Sequence, residues 1–397
     1  MKSQSQMIFL LFIGYVVVYI DKTVMGFALL PIEKEFGLST TQLGYITGIF
    51  FLAYSLFQVP AGWLNDKIGY KTMLILSLCA LGIFALCFGA LGMSFGLLLV
   101  FRFLSGVGHS GYPCSCAKAV VSNFSLEKRT FAQSVLLSSA GLAMTVGPLV
   151  AVWALEHLGW HKSFVSLGVV ACAIAVLIAL RVPYQKPAPR QLSQAQGQSG
   201  AWWRNPTVLL LFVSVFCVNI PSYGLMAWLP KFFVQSMGMP LEVSGYIVAA
   251  GGAGIWLSSL CTGWLVGKYF HNREPQVILI CALVSAAAIL GIFHTATALA
   301  ASALLFVGEI FLMATFVTAF TLPMKRLPEN IMGSAIGLIN TGGTLGGFVS
   351  PIVIGYLVGQ SHSYESAFIF LSLAMVCAGV AIVPLIKKPA APLPVTD

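Results

Sequence analysis

The feature of this sequence that most restricts its fold is a series of long apolar runs. A helix needs about 20 residues to cross the hydrocarbon core of a bilayer, and each run is near that length. The chain is only 8% charged, whereas a typical soluble protein has about 25% charged residues. We therefore predict an all-α membrane protein with twelve transmembrane helices. The runs are placed at residues 7–30, 43–64, 72–91, 95–119, 131–153, 163–182, 207–230, 243–267, 275–295, 298–322, 332–357 and 365–386.

The basic residues of the chain are distributed unevenly between the two sets of run ends. A net charge of +9 is compatible with nucleic-acid binding, but the positions of the charges argue against it. Most of the 21 Lys and Arg residues lie at one set of run ends, and only Lys34, Lys162 and Lys231 lie at the other. Basic residues concentrate on the cytoplasmic side of membrane proteins. We therefore predict a multi-pass protein of the inner (plasma) membrane with both termini in the cytoplasm and no nucleic-acid partner.

The chain divides into two similar parts. The segment 183–206 is rich in Pro, Gln and Ser and is predicted to be a cytoplasmic linker. It separates a six-helix bundle at 1–182 from a second six-helix bundle at 207–397. The tripeptide Gly-Trp-Leu occurs at 62–64 and again at 263–265, each time at the end of the second run of its part. Such repeats indicate two parallel bundles around a central site.

A short polar stretch, GWLNDKIGYK at 62–71, joins the second and third runs. Its glycines are expected to allow a tight turn and close helix approach. Asp66 is expected at the beginning of the next helix, where free amides favour an anion. The stretch resembles the loop between helices 2 and 3 of the major facilitator superfamily of transporters. We assign a gating loop to Gly62, Asp66, Lys67, Gly69 and Lys71.

Few ionisable residues lie deep within the runs. Charges inside a membrane are costly and usually mark a transport pathway or a paired site. Asp21 and Lys22 are adjacent, so they point about 100° apart on a helix and need not pair. We expect Asp21 to pair with Arg102 and Lys22 to face the central cavity. The alternative is that these residues form only a structural ion pair. Lys118 lies near a cytoplasmic helix end and is expected to extend to the membrane surface.

Three residues are candidates for proton coupling: Asp21, His109 and Glu309. Arg102 begins the pattern Arg-x-x-x-Gly-x-Gly, which resembles the fourth-helix motif of proton-linked transporters of the superfamily. His109 lies seven residues beyond Arg102, about 10 Å along the same helix face. An imidazole titrates near neutral pH and could carry a proton. The alternative for His109 and Glu309 is an interior hydrogen bond without a role in coupling.

The pattern Tyr-x-Asp-basic at 19–22 resembles the anion:cation symporters, which include galactonate, glucarate and hexuronate transporters and sialin. A second agreement is the segment 53–64, and a third is the Asn- and Gly-rich segment 340–355. The resemblance implies that residues 19, 22, 54 and 340 contact a carboxylate or hydroxyls. Two departures are Lys22 in place of the usual Arg and His109 in place of the proton-carrying Glu. The predicted substrate-binding set is Tyr19, Lys22, Tyr54, Arg102, Tyr223 and Asn340.

These patterns predict a secondary active transporter that moves a small organic anion, a sugar acid or other carboxylate, by proton-coupled symport with alternating access. The alternative is a proton-driven exporter of a drug, siderophore or metabolite, although Gly147-Pro148 lacks the further glycines of antiporters. A scaffold on a transporter fold is the third class. We expect no enzymatic activity, cofactor or metal, because no nucleophile–base set, metal cluster or nucleotide loop is visible. The expected partners are the anion, a proton and the bilayer, with a monomer as the unit; sodium coupling stays open.

Overall fold

The computed structural model of the protein describes residues 2–184, 202–270, 272–327 and 329–386. These residues form thirteen α-helices and a short 3-10 turn, Trp202–Arg204, and contain no strand, so the all-α prediction is confirmed. Most of the predicted linker 183–206 lies outside the described residues, and the bundle boundaries stay predictions. The helices are α1 Lys2–Phe36, α2 Thr40–Ile68, α3 Tyr70–Leu91, α4 Phe95–Ser110, α5 Tyr112–Asn123, α6 Leu126–Arg181, α7 Pro206–Gln235, α8 Leu241–Tyr269, α9 Glu274–Phe293, α10 Ala298–Arg326, α11 Glu329–Ser361, α12 Glu365–Val380 and α13 Val383–Ile386.

The number of helices and the number of membrane crossings differ for two reasons. Helix α6 has 56 residues and would be about 84 Å long if straight, far more than one bilayer. It turns at Gly159, which has φ +73°, and so provides two crossings. Helices α4 and α5 are separated at Gly111 and together cover the single predicted run 95–119. In the described residues, ten helical segments are each long and apolar enough to cross a membrane, and one of these contains the turn at Gly159.

Contacts between helix ends define two faces of the first half, residues 2–184. At one face Gln4 donates to Asn123 O over 2.6 Å, Asn123 donates to the Tyr70 hydroxyl over 2.9 Å, and that hydroxyl donates to Pro183 O over 3.1 Å. We call this the terminal face, because α1 begins there. At the opposite end, which we call the far face, Glu35 accepts a hydrogen bond from Trp160 Nε1 over 2.6 Å.

The second half, residues 202–386, is joined to the first half at the far face. Glu33 at the end of α1 forms an ion pair of 2.6 Å with Lys231 of α7 and accepts a hydrogen bond of 2.8 Å from Gln235. The Lys231 side chain is completely buried. Thr41 at the start of α2 donates to Gly355 O of α11 over 3.5 Å. Polar contacts therefore join the two halves at the face where the α1–α2 and α7–α8 loops lie.

Close backbone packing accompanies these contacts. A Cβ atom added to Gly44 of α2 would lie 2.5 Å from Pro351 O of α11. A Cβ added to Gly252 of α8 would collide with Met144 O of α6. Only glycine allows such an approach between helix backbones. We call the combined contacts the far-face seal. Its outer part is Glu33 with Lys231 and Gly44 with Pro351, and its inner part is Gly252 with Met144, eleven residues after α8 begins. The structure is therefore closed at the far face.

The connection between α2 and α3 differs from its prediction. Helix α2 continues to Ile68, and a single residue, Gly69, separates it from α3. Gly69 has φ +85°, a conformation that favours glycine, and its N–H donates to Asn65 O over 3.0 Å. The expectation that Asp66 begins the next helix is wrong, because Asp66 lies in the last turn of α2. The expected close approach at Gly62 is also wrong, since nothing lies within 4 Å of a Cβ built there.

Candidate functional site

The side chain of Lys22 lies near the middle of α1 and is only 4% exposed. Its ammonium is surrounded by aromatic rings. Among the described residues, no carboxylate lies within ion-pair distance of its Nζ. The distances from Nζ to the ring centroids are 4.8 Å for Tyr19, 5.2 Å for Tyr54, 5.7 Å for Phe51, 5.8 Å for Tyr223 and 5.9 Å for Phe50. Ring faces attract the cation but cannot neutralise it.

The rings around Lys22 come from both halves of the protein. Tyr19 is three residues before Lys22 on α1, and the rings of α2 lie across from it. Tyr223 on α7 belongs to the second half, and its ring centroid is 4.3 Å from that of Phe51. Met226 of α7 and Met144 of α6 pack against the same rings. We call Lys22 with its five rings the lysine cage. The cage lies between the two halves, at the level of the inner part of the far-face seal, because Met144 contacts both.

Asp21 points to a different neighbour from Lys22, as the sequence predicts. Its Oδ2 forms an ion pair of 3.0 Å with Arg102 of α4, and the side chains are 0% and 3% exposed. The guanidinium carbon lies 4.7 Å from the centroid of the Phe50 ring. The predicted pairing of Asp21 with Arg102 is therefore confirmed. Asp21 therefore balances the charge of Arg102. Lys22 is the cation in this region that has no carboxylate partner among the described residues.

His109 is brought close to the lysine cage. It lies in the last turn of α4, two residues before the break at Gly111. The imidazole centroid is 4.6 Å from that of Tyr54 and 5.3 Å from that of Phe50. Its Nδ1 is buried and has no hydrogen-bond partner among the described residues. The His109 imidazole therefore packs edge-to-face against two rings of the cage, Tyr54 and Phe50.

Glu309 on α10 lies outside the cage but close to it. Its side chain is 6% exposed, and Oε2 is buried without a hydrogen-bond partner in the described part of the chain. Glu309 lines a cavity of about 30 Å³ together with Thr23 of α1 and Met144 of α6. Thr23 is next to Lys22 in sequence, and Met144 also packs on the cage. The cavity and the cage therefore share walls.

The structure does not bring Asn340 to the cage. It is half-buried on α11, seven residues before Gly347. A Cβ added to Gly347 would lie 2.8 Å from the rings of Phe51 and Tyr223, so Gly347 marks the level of the cage. Seven residues of helix place Asn340 about 10 Å from that level, towards the terminal face. Its role in substrate binding stays a prediction.

Comparison with known proteins identifies the family. Residues 11–351 match the family described as Major Facilitator Superfamily, which is most of the chain. The protein belongs to the Major Facilitator Superfamily. It is therefore a multi-pass membrane transporter and not an enzyme.

Members of this superfamily with related sequences carry names that refer to organic anions. A probable sulfoacetate transporter of Cupriavidus necator is 27% identical, covering 92% of this chain and 90% of the relative. A hexuronate transporter of Bacillus subtilis is 25% identical, covering 98% and 97%. A probable L-galactonate transporter of Escherichia coli is 24% identical, covering 98% and 90%. The sequence resemblance to the anion:cation symporter group is thereby confirmed.

A solved structure supports the superfamily fold. A bacterial homologue of the human lysosomal transporter Spinster, in an inward-facing and occupied conformation, superposes with a TM-score of 0.79. The alignment covers 97% of this chain and 96% of the homologue at 18% identity. At this identity the likeness concerns the fold. The predicted twelve-helix architecture of the superfamily is therefore confirmed.

The superfamily loop between α2 and α3 makes its own set of contacts. The Asp66 carboxylate accepts from Lys118 Nζ over 2.8 Å, and the same ammonium donates to Asn65 O over 3.0 Å. Lys67 Nζ lies 3.7 Å from the Trp63 ring centroid. Lys118 therefore connects α5 to the end of α2, where its ammonium contacts the exposed Asp66 carboxylate. The expectation that Lys118 extends to the membrane surface stays a prediction.

The gating residues are well separated from the cage. Asp66 follows the cage tyrosine Tyr54 by twelve positions on α2, a distance of about 18 Å along the helix. Lys71 is half-buried one residue inside α3. Described hydrogen bonds do not connect these loop residues to the cage. The predicted gating role stays a prediction.

Several residues of the site were not found by sequence reasoning. Phe50 and Phe51 form two walls of the cage, but a Phe–Phe pair inside an apolar run does not differ in sequence from a lipid-facing pair. The contact of Glu33 with Lys231 was also missed. Its signal was present, because Lys231 is one of the few basic residues at the far face and needs a partner when buried.

Proposed function

We propose that this protein imports a small organic anion, a sugar acid or other carboxylate, by proton-coupled symport with alternating access. The observation that carries the proposal is the buried ammonium of Lys22, which has five rings around it and no carboxylate partner among the described residues. The protein would act as a monomer in the plasma membrane with both termini in the cytoplasm.

The electrostatics of the lysine cage favour an anion. A charged ammonium removed from water is unfavourable unless it is paired or hydrogen-bonded. Asp21 is the nearest carboxylate in sequence, but it is bound to Arg102. A substrate carboxylate placed against Lys22 Nζ would supply the missing charge. Lysine is a point charge with three donors, so it can accept carboxylates of different geometry.

The tyrosine hydroxyls of the cage provide the remaining polar contacts in this proposal. Tyr19, Tyr54 and Tyr223 each combine a ring face near Lys22 with a hydroxyl that can donate and accept. They would bind carboxylate oxygens or substrate hydroxyls. Asn340 would join them from α11 in another conformation of the halves. Arg102 would act mainly by holding Asp21 and, through it, α1.

The names of the relatives agree with the charge of the cage. They refer to sulfoacetate, hexuronate and L-galactonate, and others to galactarate and D-glucarate. Each of these is an organic anion. We propose the same class of substrate for this protein. Counterflow with several labelled anions would identify the individual substrate.

In the proposed cycle the bundles 1–182 and 207–397 rock about the cage. The closed far-face seal would represent the state open to the cytoplasm. The contacts of Asp66 and Lys67 near the terminal face would change when that face closes. Substrate would enter from the far face and leave at the terminal face.

The test is counterflow in proteoliposomes, with labelled hexuronate, galactonate, glucarate and sulfoacetate as probes. Lys22→Met keeps the length and apolar stem of the side chain but removes the charge. We expect it to reduce counterflow about tenfold to hundredfold, because a hydrogen bond to a charged group contributes about 1.5–3 kcal/mol. Lys34→Ala is the matched control, since Lys34 is an exposed lysine on the same helix.

Two results would overturn the proposal. One is counterflow by Lys22→Met at the rate of the wild type. The other is that no anion is exchanged while a dye or drug is expelled against a proton gradient, which would establish the exporter instead. Lys22→Arg should retain exchange, because it retains the charge.

A further inference from the structure

We infer that Glu309 is the residue that binds the coupled proton, and that its protonation allows the contact between α6 and α8 to close. This inference rests on the proposed proton-coupled transport and selects among its candidate residues. Glu309 fills a position that the sequence patterns of the superfamily do not mark, since α10 carries it in an otherwise apolar segment.

The first observation is the surroundings of the Glu309 carboxyl. Glu309 is the one ionisable residue that lines its cavity, and no basic side chain from α1, α6, α7 or α8 is among the described residues around it. Helix α9 contributes Ser285, whose hydroxyl donates to Gly308 O over 2.9 Å. The carboxyl therefore has neither a counter-ion nor a donor for Oε2 among the described residues. The other lining residues are Thr23, Met144, Ser222, Leu225, Met226, Leu229, Val248, Gly251, Gly252, Ile255 and Leu305.

The second observation is that the other two candidates have cationic neighbours. Asp21 is bound to Arg102 at 3.0 Å, so its negative charge is already balanced. His109 packs against Tyr54 and Phe50, the same rings that face the cations of Lys22 and Arg102. A proton on His109 would add a third positive charge to that region. Of the three candidates, Glu309 is the one whose protonation would remove a charge that no neighbouring described group balances.

The third observation connects Glu309 to the seal. A Cβ on Gly251 would lie 3.4 Å from Glu309 Cγ, and the next residue, Gly252, is in backbone contact with Met144 O. The α6–α8 contact of Gly252 with Met144, the inner part of the far-face seal, therefore also covers the Glu309 cavity. A cavity of about 30 Å³ can hold a water molecule but offers no bulk solvent.

These observations give an order of events. With the seal open, Glu309 meets water at the far face and takes up a proton. With the seal closed, an ionised carboxyl would be buried without a partner, which is unfavourable, whereas the neutral carboxyl is accommodated. Closure therefore selects the protonated form, and the proton travels with the substrate until the terminal face opens.

The experiment compares two rates on the same proteoliposomes: uptake driven by an imposed proton gradient and counterflow of the same labelled anion. The rate of gradient-driven uptake divided by the rate of counterflow, which we call the uptake ratio, corrects for any general loss of activity. We expect Glu309→Gln to lower this ratio at least about tenfold. Glu242→Gln is the matched control, because Glu242 is an exposed glutamate in the first turn of α8, and its ratio should equal that of the wild type.

A second measurement does not require transport. Hydrogen–deuterium exchange in nanodiscs reports opening at the far face, around the Gly159 turn of α6 and at the start of α8. Because amide exchange is itself base-catalysed, the measured rates are divided by the intrinsic rates at each pH and compared as protection factors. In the wild type, we expect protection there to fall from mildly acidic to mildly alkaline pH, because ionised Glu309 opposes closure. Glu309→Gln resembles the neutral carboxyl and should show strong protection at both pH values.

The outcomes separate this inference from the proposed function. The inference is overturned if Glu309→Gln has the wild-type uptake ratio, or if its protection factors show the wild-type pH dependence. It is also overturned if His109→Gln, and not Glu309→Gln, lowers the ratio. Failure of the proposed function is a different result: the wild type then exchanges no anion, or Lys22→Met exchanges as fast as the wild type.

Discussion

Removing one partner of the Asp21–Arg102 ion pair should strongly destabilise the protein, whereas removing both should not. The atoms are 3.0 Å apart and both side chains are almost completely buried. At an effective dielectric constant of about 20, the gross attraction is about 5.5 kcal/mol. Desolvation offsets much of this in the intact pair, but a single substitution leaves a buried charge with no partner. We therefore expect Asp21→Asn or Arg102→Met to cost about 3–5 kcal/mol.

The double variant Asp21→Asn/Arg102→Met removes both charges and should regain most of the loss. We expect a coupling free energy of at least about 2 kcal/mol. The assay is reversible unfolding in mixed micelles, followed by circular dichroism. The comparison pair is Asp66–Lys118, which is 2.8 Å apart but has side chains 50% and 29% exposed. Its coupling should be about 0–1 kcal/mol, because solvent screens exposed pairs.

Equal coupling energies for the two pairs would refute the reasoning, since it assigns the difference to burial. An additive double variant of Asp21 and Arg102 would refute it as well. In that case the two side chains would not form a pair in the membrane, and the position of α1 against α4 would need another explanation.

Three further predictions concern the seal and the loop. Glu33→Gln leaves the buried Lys231 ammonium without its carboxylate, so it should weaken far-face closure by about 1–3 kcal/mol and accelerate deuterium exchange at that end of α1 and α7. Gly252→Val places a side chain against Met144 O, so counterflow should fall at least about tenfold; wild-type counterflow would show that the seal does not need this contact. Gly62→Ala faces open space, so transport should stay within about twofold of the wild type; a large loss would show that the glycine is needed in another conformation.

The parts of the fold that the sequence predicts depend on the cost of burying charge and backbone in lipid. The length of the apolar runs follows from bilayer thickness, so the crossings were predictable. The pairing of Asp21 with Arg102 was predictable because a charge in a membrane needs a partner. The adjacent Lys22 then had to face elsewhere, since neighbouring residues diverge on a helix.

The parts that the sequence did not predict depend on tertiary contacts or on local backbone geometry. The polar stretch 62–71 indicates a connection but not the residue at which α2 ends, so Asp66 was placed in the wrong helix. The Glu309 cavity has walls from five helices, and no local pattern contains that information.

The ion pair of Asp21 has a consequence for the composition of the cage during transport. It fixes α1 to α4, so Lys22 must move together with the first half. Tyr19 and Tyr54 belong to the same half and keep their places beside the ammonium, whereas Tyr223 belongs to α7 and is free to withdraw. The anion would therefore always be carried by one half, and its affinity would change in each cycle through the arrival and departure of a single tyrosine.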